Sequence, residues 1–258
     1  MKIKAVFFDI DGTLIDMDAD DISPAVKDAL CQLQSHGIKI FYATGRPPYF
    51  LPEEKDIQFD GALCFNGAFC YDNDHVISSN AIPSEDVKQI IRNADHMHKV
   101  TGVCTAEKFG TNGYEDTLEA YMNFSGHTIH IADDFEEMIR KPVFMMMVST
   151  IPEQDQELLK GTEHVSVARW WNNAVDLIPE GSGKAEGMRK IMRSLHMDVD
   201  ACMAFGDGGN DVDMIEAAGI GVAMGNADAE VQSHVDYVTD TCKNDGIVSA
   251  LKHFNLIA

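Results

Sequence analysis

Positive charge is scarce in this 258-residue chain. Twenty Lys and Arg stand against 42 Asp and Glu, a formal charge of −22. Contacts to a phosphate backbone need clustered Lys and Arg, so neither nucleic acid nor an anionic membrane is expected as a partner. Cysteine is sparse too. The six residues Cys31, Cys64, Cys70, Cys104, Cys202 and Cys242 form no C-x-x-C pair and no metal-finger spacing. Neither a disulfide framework nor a structural zinc site is therefore expected. No apolar run approaches the ~20 residues of a membrane-spanning helix. Ala5-Val6-Phe7-Phe8 is too short for the apolar region of a signal peptide and runs straight into Asp9. The expectation is a cytoplasmic, reduced protein. Asn123-Phe124-Ser125 then matches a glycosylation sequon by letters only. What remains is ordinary globular material, 45% hydrophobic and long enough for one large domain or two.

Strand and helix patterns alternate at both ends of the chain. Lys4 to Phe8 is a short apolar run, and Ser23-Pro24 places an N-cap and an N1 proline before the stripe Val26, Ala29, Leu30, Leu33. Further strands are expected at Ile38 to Ala43 and Gly61 to Phe65, with a hairpin turn at Tyr71 to His75. In the last third, helices at Lys184 to Leu195, Asp211 to Ala218 and Ala229 to His234 alternate with strands at Ala201 to Phe205, Ile220 to Ala223 and Tyr237-Val238. Such alternation predicts a doubly wound parallel sheet covered on both faces. The middle reads differently. Strands at Val143 to Thr150, His164 to Trp171 and Ala174 to Ile178 are longer, and the last two can pair antiparallel around Asn172-Asn173. With helices at Glu85 to His98 and Glu115 to Phe124, this is an α+β insertion. The predicted division is an α/β core of residues 1–82 and 180–258, with an inserted domain at 83–179.

Polar residues collect where the apolar runs stop. Asp9-Ile10-Asp11-Gly12-Thr13 follows the first, Thr44-Gly45-Arg46 the second, and Gly206-Asp207-Gly208-Gly209-Asn210-Asp211 a later one. Open α/β sheets bind ligands at the carboxyl ends of their strands, so these segments should converge. Converging Asp9, Asp11 and Asp207 would repel one another unless a cation or a shared proton intervened. All-oxygen ligation favours a hard divalent ion, Mg²⁺ first.

The set D-x-D-G-T at Asp9 to Thr13, a strand-end Thr44, an isolated Lys184 and G-D-G-G-N-D at Gly206 to Asp211 resembles the haloacid dehalogenase superfamily. The long insertion between Thr44 and Lys184, and the Phe65-Asn66-Gly67-Ala68 segment, resemble its Cof-type subgroup with a large α/β cap. The resemblance implies a Rossmann-like core and an aspartyl-phosphate phosphatase. It casts Asp9 as nucleophile and Asp11 as the acid/base that protonates the leaving group and then activates water. Gly12, Thr44, Gly45, Arg46, Lys184 and Asn210 are implied to bind phosphate or substrate, and Asp9, Asp11, Asp207 and Asp211 to serve the Mg²⁺ site. The implied partner is a small phosphorylated metabolite, with sugar phosphates the commonest class and pyridoxal phosphate and flavin mononucleotide also represented.

Two other readings stay open on sequence alone: a phosphomutase of the same family, and a non-hydrolytic phosphoacceptor or binding module. Asp11 and the insertion argue against the second, since a switch needs a lasting phosphoaspartate and no lid. Arg169, Trp171, Tyr114 and Asn173 are candidates to read the organic part of the substrate. Oligomeric state is open.

Overall fold

The structure is a computed structural model that describes residues 2–53, 57–124 and 126–258. Met1, the first residue of the expected core segment, and Ser125 of the sequon letters lie outside the described residues. The described chain divides into two compact units, Met1–Arg46, Phe50–Ser78 and Gly183–Ala258 in one, Pro47–Tyr49 and Ser79–Ser182 in the other.

In chain order the strands are β1 (Ala5–Phe8), β2 (Lys39–Ala43), β3 (Gly61–Cys64), β4 (Phe69–Asp72), β5 (Val76–Ser79), β6 (Thr101–Thr105), β7 (Phe109–Thr111), β8 (Val143–Val148), β9 (Val165–Trp171), β10 (Ala174–Pro179), β11 (Cys202–Gly206), β12 (Ile220–Ala223) and β13 (Tyr237–Val238). The first unit holds an eight-stranded sheet in the order β13-β12-β11-β1-β2-β3-β4-β5. Its strands are parallel from β13 to β3, and β4 is antiparallel to β3. The central strand β1 is buried along its whole length, with Phe7 stacked on Phe41 and Phe8 on Phe205. A strand covered on both faces needs no polar alternation, which is why Ala5 to Phe8 reads as a continuous apolar run.

Helices cover this sheet as the periodicity predicts. The Pro24–Ser35 helix buries Val26, Ala29, Leu30 and Leu33, and the Ser23 hydroxyl accepts from Val26 N at its start. The Lys184–Ser194 helix buries Met188, Ile191 and Met192 against Phe7, Phe41 and Leu63. Chain order changes direction at β1, which has β11 on one side and β2 on the other. Loops leaving the two sides at such a switch point open a crevice at the strand ends.

The second unit holds a five-stranded sheet in the order β7-β6-β8-β10-β9, with neighbouring strands antiparallel. The expected β9–β10 hairpin is present, Ala174 opposite Trp171. The Ser84–His96 helix lays Val87, Ile90 and Ala94 on Val103, Met146 and Val148. Strands β6 and β7 were not legible in the sequence, and their glycines give the reason. A Cβ on Gly102 would lie 2.8 Å from the Phe109 ring, and one on Gly110 would lie 2.7 Å from Ala132. Close packing therefore demands glycine where a strand pattern would show an apolar side chain.

Candidate active site

Two strand ends deliver the acidic residues. Asp9 follows β1, and Asp207 and Asp211 follow β11. Carboxylate oxygens of Asp9, Asp207 and Asp211 all lie within 4.8 Å of one another. Lys184 enters this group from the first turn of its helix with its side chain fully buried. Its Nζ donates to Asp9 Oδ1 and to Asp211 Oδ1, both at 2.6 Å. A cation opening a helix opposes the macrodipole, and the two buried carboxylates account for its placement. The other oxygen of Asp211 accepts the backbone N–H groups of Asp207 and Gly208 at 3.1 and 3.0 Å. Asp211 thus shapes the loop as well as holding Lys184. Among the described residues, the Asp9 carboxylate takes its hydrogen bond from Lys184 at Oδ1, which leaves Oδ2 available.

The electrostatics follow from this crowding. Burial, then the charge of Asp211, pushes the Asp9 carboxyl well above the ordinary carboxylate range, against the pull of Lys184. Burial and Asp211 likewise raise Asp207 to about 7, with the Thr13 hydrogen bond opposing them. Burial alone would lower Lys184, but Asp211 and Asp9 more than offset it and hold the ammonium charged.

Asp11 departs from the expected arrangement. Its carboxylate is not part of the acidic trio; Asp211 takes that place. The reason is Arg46, whose Nε and Nη2 donate to the two Asp11 oxygens at 2.9 and 2.5 Å, while Nη1 donates to Phe50 O. A guanidinium fork satisfies a carboxylate bidentately, so Asp11 gains more there than among three like charges. Arg46, expected as a phosphate ligand, is thereby committed to Asp11. The Thr44 hydroxyl is buried after β2 and accepts from Arg46 N at 3.0 Å. Gly45 connects the two, and the Asn210 carboxamide donates to Asn66 Oδ1 at 3.0 Å.

Gly12 is required on two counts. Its φ is +82°, and a Cβ would sit 2.3 Å from Asp207 Oδ2. The backbone of the first loop therefore lies directly on the metal-ligand candidate. Two more residues complete this contact and were missed in the sequence. The Thr13 hydroxyl donates to Asp207 Oδ1 at 2.9 Å. Asn226 Nδ2 donates to Gly12 O and Asp207 Oδ2 at 2.9 and 3.2 Å. The signal for Asn226 was available, since Gly225-Asn226 follows the apolar run of β12 as the other motifs follow theirs.

In the second unit, Arg169 is not a free reader of substrate. It donates to Thr150 O and Ala174 O at 2.7 and 2.8 Å and to Asp155 Oδ1 at 2.5 Å, and so clamps the β9–β10 hairpin. Trp170 stacks on Tyr121 and donates to its hydroxyl at 2.6 Å. Trp171 and Asn173 line a cleft of about 380 Å³ with Lys99, Thr117 and Gln154. Tyr114 is exposed.

A family model described as haloacid dehalogenase-like hydrolase matches residues 6–251. The chain belongs to that family. This hydrolase is 31% identical to the Bacillus subtilis protein YkrA, named as a phosphatase, with each chain covered completely. It is 26% identical to the pyridoxal phosphate phosphatase YbhA of Escherichia coli, over 96% of this chain and 97% of that one. Among solved structures it resembles the subclass IIB sugar phosphatase BT4131, at 33% identity and a TM-score of 0.90 over 98% of this chain and all of the other. The phosphatase BT1666 from Bacteroides thetaiotaomicron gives 35% identity and the same TM-score, over 99% and 96% of the two chains.

Proposed function

We propose that this hydrolase is a Mg²⁺-dependent phosphatase of small phosphate monoesters, sugar phosphates first, working through an aspartyl phosphate on Asp9. The observation that carries the reading is the Asp9 carboxylate, fixed at Oδ1 by a buried ammonium and open at Oδ2, at the end of the central strand. In the first displacement an Asp9 oxygen attacks phosphorus as the P–O ester bond breaks, and Asp11 gives its proton to the departing alkoxide. In the second, water attacks the phosphoryl group, its proton passes to Asp11, and Asp9 and inorganic phosphate are released. Asp11 must carry a proton for the first step, so its bidentate contact with Arg46 has to loosen beforehand, and the carboxylate can re-form that contact once the leaving group has taken the proton. Lys184, Thr44 and Asn210 supply the donors for phosphate oxygens.

The acidic trio fits a hard divalent cation. The donors are all carboxylate oxygens, and burial with the charge of Asp211 raises Asp207 to about 7, a penalty that a cation would relieve. Asp9, Asp207 and Asp211 would hold Mg²⁺, which supplies positive charge against the phosphoryl group. Asp11, paired with Arg46, is left out of the ligand set. The second unit is assigned the part of specificity cap, supported by the likeness to BT4131 and by the absence from it of the residues of the acidic site. A cytoplasmic location belongs to the same proposal; it is supported by six cysteine thiols, four of them buried, and by the lack, among the described residues, of a helix long and apolar enough to cross a membrane.

The test is release of inorganic phosphate from a panel of sugar phosphates, pyridoxal phosphate and p-nitrophenyl phosphate, with Mg²⁺ and after chelation. Asp9→Asn should lower kcat by roughly 10³-fold or more, an amide being a very poor nucleophile. Near-normal turnover by that variant, with mass spectrometry excluding reversion to Asp, overturns the covalent route. Conversion of a sugar phosphate to its positional isomer without phosphate release would make the protein a mutase.

A further inference from the structure

The bend between β3 and β4 carries strain that its own sequence does not explain. Phe65 and Asn66 both have left-handed backbones, φ 51° and 50°, followed by Gly67 at 86°. Consecutive non-glycine residues in that region are rare and persist only where the surroundings impose them. Asn tolerates the conformation better than most residues, but Phe does not. The side chains of both are fully buried rather than turned to solvent.

What the bend touches accounts for the strain. Asn66 N donates to Thr44 O at 3.0 Å, and Phe65 N to Arg46 O at 3.2 Å. A Cβ on Gly67 would lie 2.1 Å from Gly183 O, so the bend packs on the residue that opens the Lys184 helix. The Asn66 side chain accepts from Asn210 Nδ2 through Oδ1. One three-residue turn therefore meets the segments bearing Thr44, Lys184 and Asn210, although it carries none of their chemistry.

We propose that Asn66 is a positioning residue, whose Oδ1 fixes the orientation of the Asn210 carboxamide. A primary amide has two donors and one acceptor. With one donor committed to Asn66, Asn210 presents its Oδ1 and its second N–H in a defined direction. Without Asn66 the amide is free to rotate, and a rotated amide exchanges donor for acceptor at the point where it meets phosphate or water. The proposal rests on the phosphatase reading for its kinetic consequence, but not for its geometry.

Asn66→Gly isolates the side chain, because glycine accepts the left-handed backbone without strain. The variant should melt within about 3 °C of wild type, since relief of strain and added backbone freedom oppose each other. Its kcat for p-nitrophenyl phosphate with Mg²⁺ should fall about tenfold, the scale of one positioning hydrogen bond, with KM nearly unchanged. Asn66→Gly with Asn210→Ala should be no slower than Asn210→Ala alone, because both remove one interaction. A bend that mattered only for packing, through Thr44 or Lys184, would make the two losses multiply. That result, or wild-type kcat in Asn66→Gly, overturns the proposal. The Asn210 side-chain amide, assigned in ¹⁵N NMR spectra by its disappearance in Asn210→Ala, gives a readout independent of turnover. Its resonance should shift and broaden in Asn66→Gly, and an unchanged resonance overturns the proposal whether or not the wild type is active. Failure of wild type to release phosphate would instead count against the phosphatase reading.

Discussion

Lys184→Met removes the charge at the centre of the site while keeping most of the volume and a good helix former. The side chain is fully buried and paired with Asp9 and Asp211 at 2.6 Å. Taking one partner from a buried ion pair costs roughly 3–5 kcal/mol, because the other charge is left desolvated. Two carboxylates are orphaned here, yet the cost does not double. Asp9 already sits well above the ordinary carboxylate range and relieves the repulsion by taking a proton. Roughly 3–5 kcal/mol in a chain of this size corresponds to a fall of at least about 6 °C in the melting temperature of the metal-free protein. Mg²⁺ should recover more of the loss in the variant than it adds to wild type, because a cation entering the trio no longer meets an ammonium. The loss should also shrink as pH falls and Asp9 protonates. Thermal melting with chelator, and then over a Mg²⁺ series, measures both effects. A metal-free Lys184→Met that melts within about 2 °C of wild type would show that the buried pair is not the electrostatic centre of the site.

Three further outcomes are expected. Asp207 has an ordinary value of 3.8 and a folded value of about 7, so between these pH values the folded protein holds a proton that the unfolded chain lacks. Metal-free stability should therefore fall as pH rises through that window, and Mg²⁺ should raise the melting temperature more at pH 8 than at pH 5.5; an equal or larger increment at pH 5.5 refutes this. Arg46→Gln should lower kcat/KM for an alkyl phosphate at least about tenfold further than for p-nitrophenyl phosphate, whose leaving group needs no acid, because Asp11 loses its clamp. Equal losses on both substrates would return Arg46 to the phosphate. Arg169→Ala should destabilise the second unit by roughly 3 kcal/mol, by unseating the hairpin and orphaning Asp155, and should leave the ranking of substrates unchanged. A changed ranking with unchanged melting would place Arg169 back among the specificity residues.

The legible parts of this protein are those set by local chemistry. The buried strands of the core and the Val26-Ala29-Leu30-Leu33 stripe follow from periodicity, and each strand end carries its motif within five residues. Asp9 and Asp207 could be placed at one sheet edge because parallel topology brings strand ends together whatever the side chains do, whereas Lys184, which opens a helix, was placed there by the family resemblance. Side-chain allegiance was not legible. Asp11 lies only two residues from Asp9, yet Arg46, 35 positions away, sets where its carboxylate goes. Arg169 was a candidate substrate reader because it lies in the inserted domain, which was expected to read the organic part of the substrate. Its actual partners are backbone carbonyls and the Asp155 carboxylate, which no sequence pattern displays.

The same distinction explains why the residues missed are the supporting ones. A nucleophile or metal ligand must be of one chemical type, so it announces itself by kind. Thr13, Asn66 and Asn226 work by reach and angle: each bonds a site residue or the loop beneath it. Their side chains are unremarkable in composition, and only their backbones or strand-end positions set them apart. With a net charge of −22, the chain must concentrate positive potential where a phosphate enters. The structure commits its nearest cations first, Lys184 to Asp9 and Asp211, and Arg46 to Asp11. Each therefore has its charge already compensated before a phosphate arrives. An acidic surface around a site whose own cations are neutralised weakens attraction to anions in the absence of a metal, so divalent-ion loading should control substrate affinity as well as chemistry.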